Sequence, residues 1–239
     1  MKTKLFFILA LLQIAATDLL AVTIDLSKLA DYTKCEAKNG DVITGSNNTC
    51  TVIIAANATV TLSEVSIKGY VSCIQCKGSA TIILADGTVN ILEAQGSSTP
   101  AIMVGDAGTT LTIKGKGKLY AKGDLNCAAI GCSRRKSCGN INIEDGNITV
   151  IGGEWAAGIG SGYYGSCGTI TIKGGTIITA GGQFAPGIGI GHNGSCGTIT
   201  ITKEINKVTA YKGQMVDGSS IDAGNNAVII EDESLVEQK

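Results

Sequence analysis

The chain is poor in the residues that most chemistries lean on. Of its 239 residues one is histidine, one is tryptophan, two are proline and two are arginine, while aromatic residues make up 4% and charged residues 16%. A single histidine, with no Cys/His ligand spacing, excludes a zinc site of the usual kind. Two prolines and few charges exclude a disordered or collagen-like composition. A formal charge of -1 argues against a nucleic-acid partner. No cofactor is implied by any motif. Beyond the first segment no stretch approaches the roughly 18 apolar residues of a membrane span.

Three things are abundant. Apolar residues reach 44%, enough for a packed core, and glycine reaches 33 residues, about twice the roughly 7% of globular chains. Nine cysteines leave an odd thiol in a monomer.

Residues 1–21 read as a signal peptide. Lys2 and Lys4 precede an apolar stretch from Leu5 to Ala16, and small residues follow. Cleavage falls after Ala21 or after Ala16, the former leaving 17 basic and 19 acidic residues and a charge of -2. Export makes disulfides permissible and places the protein outside the cell or at its surface. Asn47, Asn57, Asn147 and Asn193 stand in N-x-Ser/Thr sequons, which matter in a host that glycosylates them.

Self-similarity decides the fold class. Cys138-Gly139, Cys167-Gly168 and Cys196-Gly197 recur at intervals of 29 residues. Each is followed by an alternating segment, Asn140–Ile143, Thr169–Ile172 and Thr198–Ile201, with isoleucine inward and Thr or Asn outward. A second short strand such as Thr176–Ala180 and a third element, Ala157–Gly160 or Pro186–Gly189, complete a unit bounded by glycine-rich turns. Ile74, Ile102, Ile130, Ile159 and Ile188 form a column with steps of 28, 28, 29 and 29. Three short strands without a helix cannot bury their apolar face alone, so the units must stack. The expectation is an all-β, single-domain parallel β-helix of five to six coils of 28–31 residues. The pattern and helical half of a leucine-rich repeat are absent; a β-prism or a sandwich of hairpins is the remaining rival. Residues 22–50 are expected to cap the N-terminus, 51–203 to form the repeats, and 204–239 to supply the last coil and the C-terminal cap.

The run from Gly152 to Gly160, through Cys167–Ile172 and Gly174–Thr176, to Ala185–Gly189 resembles the Gly-rich repeats of secreted or surface proteins with pectin-lyase-like right-handed β-helices. The resemblance covers residues 70–202 and implies an architecture shared by non-enzymatic polysaccharide-binding proteins and by polysaccharide lyases and hydrolases. It specifies no activity, because function is a property of the site.

Counting back four from each repeat cysteine aligns Arg134, Tyr163 and His192, and the preceding coil adds Asp106. Arg135, Tyr164 and Asn193 run beside them. A turn that varies while its surroundings repeat is where a solenoid places function. Tyr faces suit sugar C–H groups and guanidinium suits a uronate or sulfate, so a polysaccharide or other glycan is the expected partner. Trp155 and Phe184 share a column and would form a second platform if exposed. Asp, Arg, Tyr and His are also acid/base groups, which keeps a lyase or hydrolase open, although paired carboxylates for glycoside hydrolysis are not evident. Gly191–Gly194 faintly resembles the Gly-His-Gly of polygalacturonases, whose other motifs are missing here.

Two further readings come from the ladders. Thr110/Thr112, Asn140/Asn142, Thr169/Thr171 and Thr198/Thr200 make a stripe resembling that of β-helical ice-binding proteins. A coat protein that associates with itself is the purely structural reading. Among the cysteines, Cys138, Cys167 and Cys196 should stack within disulfide range, with at most two of them paired; Cys35 and Cys50 could staple the cap. Glu144 should lie above Lys173.

Overall fold

A computed structural model describes residues 20–96 and 99–239 of the chain. The signal-peptide reading lies outside the described residues apart from Leu20 and Ala21. The described chain is an all-β parallel solenoid of about six turns in a single domain. Among the described residues no helix is long and apolar enough to cross a membrane.

Each rung contributes to three faces. On the first, Ala80–Leu84, Thr110–Lys114, Asn140–Ile143, Ile170–Ile172, Ile199–Ile201 and Val228–Ile230 pair in parallel. On the second, Val89–Ala94, Lys118–Lys122, Asn147–Ile151, Thr176–Ala180, Lys207–Tyr211 and Val236–Gln238 do the same. The third is a sheet of eight short strands running from Lys34–Ala37 to Ile221–Asp222. The first two faces belong to one sheet because the long strand Ala58–Gly69 pairs with Ala80–Leu84 through its first half and with Val89–Ala94 through its second.

The alternation in the sequence becomes columns along the axis. Val60, Ile82, Ile113, Ile143, Ile172 and Ile201 stack inward on the first face, and Ile74, Ile102, Ile130, Ile159, Ile188 and Ile221 on the third, all buried. Neighbouring parallel strands lie about 4.8 Å apart, so each isoleucine packs on its counterparts above and below. This continuous apolar column is what a single rung cannot make for itself.

The segment before residue 51 does more than cap. Thr23–Asp25 pairs with Val42–Ser46, which pairs with Ala58–Gly69, and Lys34–Ala37 pairs with Thr51–Ile54. These rungs are short: the step along the third face is 17 residues from Lys34 to Thr51 and 22 from Val52 to Ile74, against 28 from Ile74 to Ile102. At the far end the step from Ile188 to Ile221 is 33. Both ends carry the same local device. Asp25 Oδ1 accepts from the Ser27 amide and hydroxyl ahead of a 3-10 turn, and Asp232 Oδ1 does so from Ser234.

Candidate functional site

After each third-face strand the chain turns toward the first face, and these turns stack. In three successive rungs the turn is held by a left-handed residue that is not glycine: Arg135 at φ 55°, Tyr164 at φ 52° and Asn193 at φ 54°. The Arg135 amide donates to the Tyr163 carbonyl at 2.9 Å, and the Tyr164 amide to the His192 carbonyl at 3.0 Å. Arg134, Tyr163 and His192 therefore form one column, with Arg135, Tyr164 and Asn193 beside it. Arg134 Cζ lies 5.4 Å from the Tyr163 ring centre and Arg135 Cζ lies 5.7 Å from that of Tyr164, so each guanidinium is held over a ring by cation–π attraction. The two tyrosine rings are 4.4 Å apart. A hydrogen bond with the Tyr164 hydroxyl raises the Tyr163 phenol above its ordinary value, and desolvation adds to it.

Trp155 and Phe184 occupy the turn that precedes the third-face strand. The Trp155 amide donates to the Leu125 carbonyl and the Phe184 amide to the Glu154 carbonyl, which puts Asn126, Trp155 and Phe184 in one column. The Met215 amide donates to the Gln183 carbonyl, so Met215, 62% exposed, continues that column. The sequence signal for Met215 was a step of 31 instead of 29.

The two groups of aromatics, separate in the sequence, are one cluster. The third-face strands of these rungs, Ile130–Gly131, Ile159–Gly160 and Ile188–Gly189, are only two residues long, so the turns at either end of a strand approach each other. The His192 amide donates to the Trp155 carbonyl at 2.9 Å, and the Tyr163 amide to that of Asn126 at 3.0 Å. The His192 ring stands edge-on to Trp155 at 5.1 Å, and Tyr163 is 5.3 Å from Trp155. Trp155 and Phe184 spend their faces on each other and support the histidine and tyrosine; they do not form a second open platform. The outward surface is the paired tyrosines, the two guanidinium groups, His192 and Asn193, with the exposed Lys136 extending the positive charge.

Asp106 does not join this surface. From Met103 to Thr110 its turn is two residues shorter than that from Gly131 to Asn140, and the Gly139 amide donates to the Gly105 carbonyl. The count from Ile102 thus slips in register, and Asp106 closes its own turn by accepting from the Thr109 amide and hydroxyl at its carbonyl. The eight clustered side chains include no carboxylate. Glu144 accepts from Asn142 Nδ2 at 3.0 Å, and no ion pair joins it to Lys173 among the described residues.

The sequons differ in availability. Asn57, Asn147 and Asn193 are exposed. Asn47 donates from Nδ2 to the Leu26 and Leu29 carbonyls and accepts from the Thr49 amide and hydroxyl, so a glycan on that nitrogen would break the cap.

Other surfaces are grooves between turns. One of about 470 Å³ is lined by Lys116, Glu144, Asp145, Lys173, Glu204 and Asn206. Another of about 380 Å³, mostly apolar, lies on the second face beside Val89, Tyr120, Thr149 and Ile178. On the first face the Thr stripe is longer than four coils: Thr59, Thr81, Thr112, Asn142, Thr171 and Thr200 are in continuous register.

The rungs and their columns define the class, a parallel β-helix. Residues 141–163 match the family model described as Beta helix repeat, a span shorter than one rung that includes both Trp155 and Tyr163. No curated protein and no solved structure matches the chain.

Proposed function

We propose that the protein is exported and binds polysaccharide without catalysis, through the surface of Arg134, Arg135, Tyr163, Tyr164, His192 and Asn193, with a preference for chains bearing carboxylate or sulfate. The observation that carries this reading is the left-handed column. An L-residue in that conformation costs about 1 kcal/mol that glycine avoids, yet three rungs in a glycine-rich chain keep Arg, Tyr and Asn there. Such strain, held in the same place rung after rung, points to use of the side chains. Two guanidinium groups ordered over rings offer paired donors to an anionic group, and the phenol, imidazole and amide beside them suit hydroxyls.

The test is retention of the mature protein on insoluble neutral and acidic polysaccharides. Tyr164→Gly removes a ring while leaving the backbone at ease, and Arg134→Ala/Arg135→Ala removes the charge. Retention on acidic polymers, lost in both variants with the fold intact, is expected. Absence of retention on every polymer would overturn the reading and put a structural coat first. Turnover of a bound polymer would replace it with the lyase or hydrolase reading.

The six-rung Thr register supports a second reading, ice binding by the first face. It predicts thermal hysteresis that Thr171→Leu abolishes and Tyr164→Gly leaves unchanged. Asn142 interrupts the array, with its Nδ2 engaged by Glu144.

A further inference from the structure

Four buried cysteines stand in series beneath the turns just described. Cys132 and Cys138 bracket the turn that carries Arg134 and Arg135, and Cys132 Sγ donates at 3.5 Å to the Ser166 carbonyl, the same oxygen that accepts from the Cys138 amide at 2.9 Å. Cys138 stands one rung from Cys167, each following a residue of the Ser137–Ser166 bridge. Cys167 Sγ lies 3.5 Å from Cys196 Sγ. The backbone accounts for this alignment. Ser137 bridges Ser166, the Cys138 amide donates to the Ser166 carbonyl at 2.9 Å, and Cys167 is in register with Cys196 in paired strands. Neighbours one rung apart have Cα atoms about 4.8 Å from each other, within the roughly 4.4–6.8 Å that a disulfide spans.

A row of four thiols can be bridged in two ways. Joining the inner neighbours, Cys138 and Cys167, strands the outer two. Joining the outer neighbours uses all four sulfurs. Cys127 precedes the third-face strand Ile130–Gly131, whereas Cys132 Sγ is directed at the Ser166 carbonyl, 3.5 Å away, beside the Cys138 amide. The sulfurs are spread along the axis, and among the described residues no group of three or more His, Cys, Asp or Glu is placed to hold a metal ion.

We propose that in an oxidising compartment this row forms two disulfides, Cys132–Cys138 and Cys167–Cys196. Each forms by exchange with a small external disulfide such as oxidised glutathione. One protein thiolate attacks the glutathione disulfide, forms a mixed disulfide and expels one glutathione thiolate. The neighbouring thiolate then attacks the protein sulfur and expels the second. Two protein thiols are oxidised, one glutathione disulfide is reduced, and the two protein protons end on the two glutathione thiols. Because all four sulfurs are buried in the folded rungs, the external disulfide meets them while the turns are still open, and the internal step closes with the turn. The first bridge closes the arginine turn at its base. The second ties the turn of Tyr163 and Tyr164 to that of His192 and Asn193. Neither depends on what the surface binds.

The experiment uses the full mature chain, refolded in a glutathione redox buffer. It is denatured without reductant, alkylated, cut with trypsin and chymotrypsin, and mapped by mass spectrometry. Cleavage at Arg134, Arg135 and Lys136 separates Cys132 from Cys138, and cleavage at Trp155, Tyr163 or Tyr164 separates Cys138 from Cys167. The expected links are Cys132 to Cys138 and Cys167 to Cys196. A Cys138–Cys167 or Cys127–Cys132 link, or alkylation of all four, would overturn the proposal. In Cys196→Ser, Cys167 should become alkylatable while the Cys132–Cys138 link persists; a shift of Cys138 to Cys167 in that variant would count against it.

Discussion

Trp155 lies flat against Phe184, ring centres 3.9 Å apart and planes 11° from parallel. They are one rung apart in the same column, so the stack follows the solenoid axis and each ring gives a face to the other. His192 meets both rings edge-on, at 5.1 Å and 5.8 Å. The pair acts as a buttress that fixes the imidazole and Tyr163, and the surface in front of it is what a ligand would meet.

Trp155→Ala should therefore act on stability as well as on binding. The ring is partly buried and makes contacts with Phe184, Tyr163 and His192, so its loss should cost about 2 kcal/mol. Urea denaturation checks this. A cost near zero would mean that the stack supports nothing.

Where equivalent residues recur at constant spacing, the sequence alone made the architecture readable. The isoleucine column from Ile74 to Ile188 and the alternation at Thr169–Ile172 needed only period and polarity. The pairing of the chain before residue 51 was hidden because the steps of 17 and 22 residues that lead from it to Ile74 share no period with the rest. The contact of His192 with Trp155 was hidden for another reason. It joins non-equivalent positions of successive rungs, and column alignment compares only equivalent ones. Asp106 failed because its turn is shorter, and no periodic count can see a deletion inside a turn.

Gly131, Gly160 and Gly189 mark the closest approach of successive rungs. Each has positive φ, and a Cβ on each would strike the carbonyl oxygen of the next rung, that of Gly160, Gly189 and Asp222 respectively. Backbone on both sides leaves no room to yield. Gly160→Ala should destabilise by more than about 3 kcal/mol, read as a collapse of the soluble fraction and of the thermal midpoint. Gly87→Ala is the control: its added Cβ meets nothing within 4 Å, so its cost is confined to φ strain.

Reduced protein should lose stability in alkali. Burial pushes the Cys73 and Cys76 thiols up to about 12 from an ordinary 9.0. The folded state holds those protons more tightly than the unfolded state. Their contribution is complete below pH 9 and falls as pH rises toward 12. The thermal midpoint under reductant should be flat from pH 7 to 8.5 and decline above 9. Cys76→Ala should decline less steeply, and equal slopes would reject the assignment to Cys76.

Asn90 breaks the apolar pattern for a reason visible only in three dimensions. Its column on the second face continues as Leu119, Ile148, Ile177 and Val208, so pattern alone favours leucine there. Yet Asn90 is fully buried, its Oδ1 accepts from the Val65 amide at 3.0 Å, and its Nδ2 donates to the Lys118 carbonyl at 3.2 Å. The need arises one residue earlier. Glu64 is left-handed at φ 59°, and the pairing of Val42–Ser46 with Ala58–Gly69 shifts register at this point, which takes the Val65 amide out of the ladder. Asn90→Leu would gain apolar contact with Leu119 and strand the buried Val65 amide, at about 1–3 kcal/mol for that unsatisfied group, and remove a donor from the part-buried Lys118 carbonyl at a smaller cost. The net effect should be a loss of about 2 kcal/mol in urea denaturation. A gain in stability would show that the bend at Glu64 does not need the amide side chain.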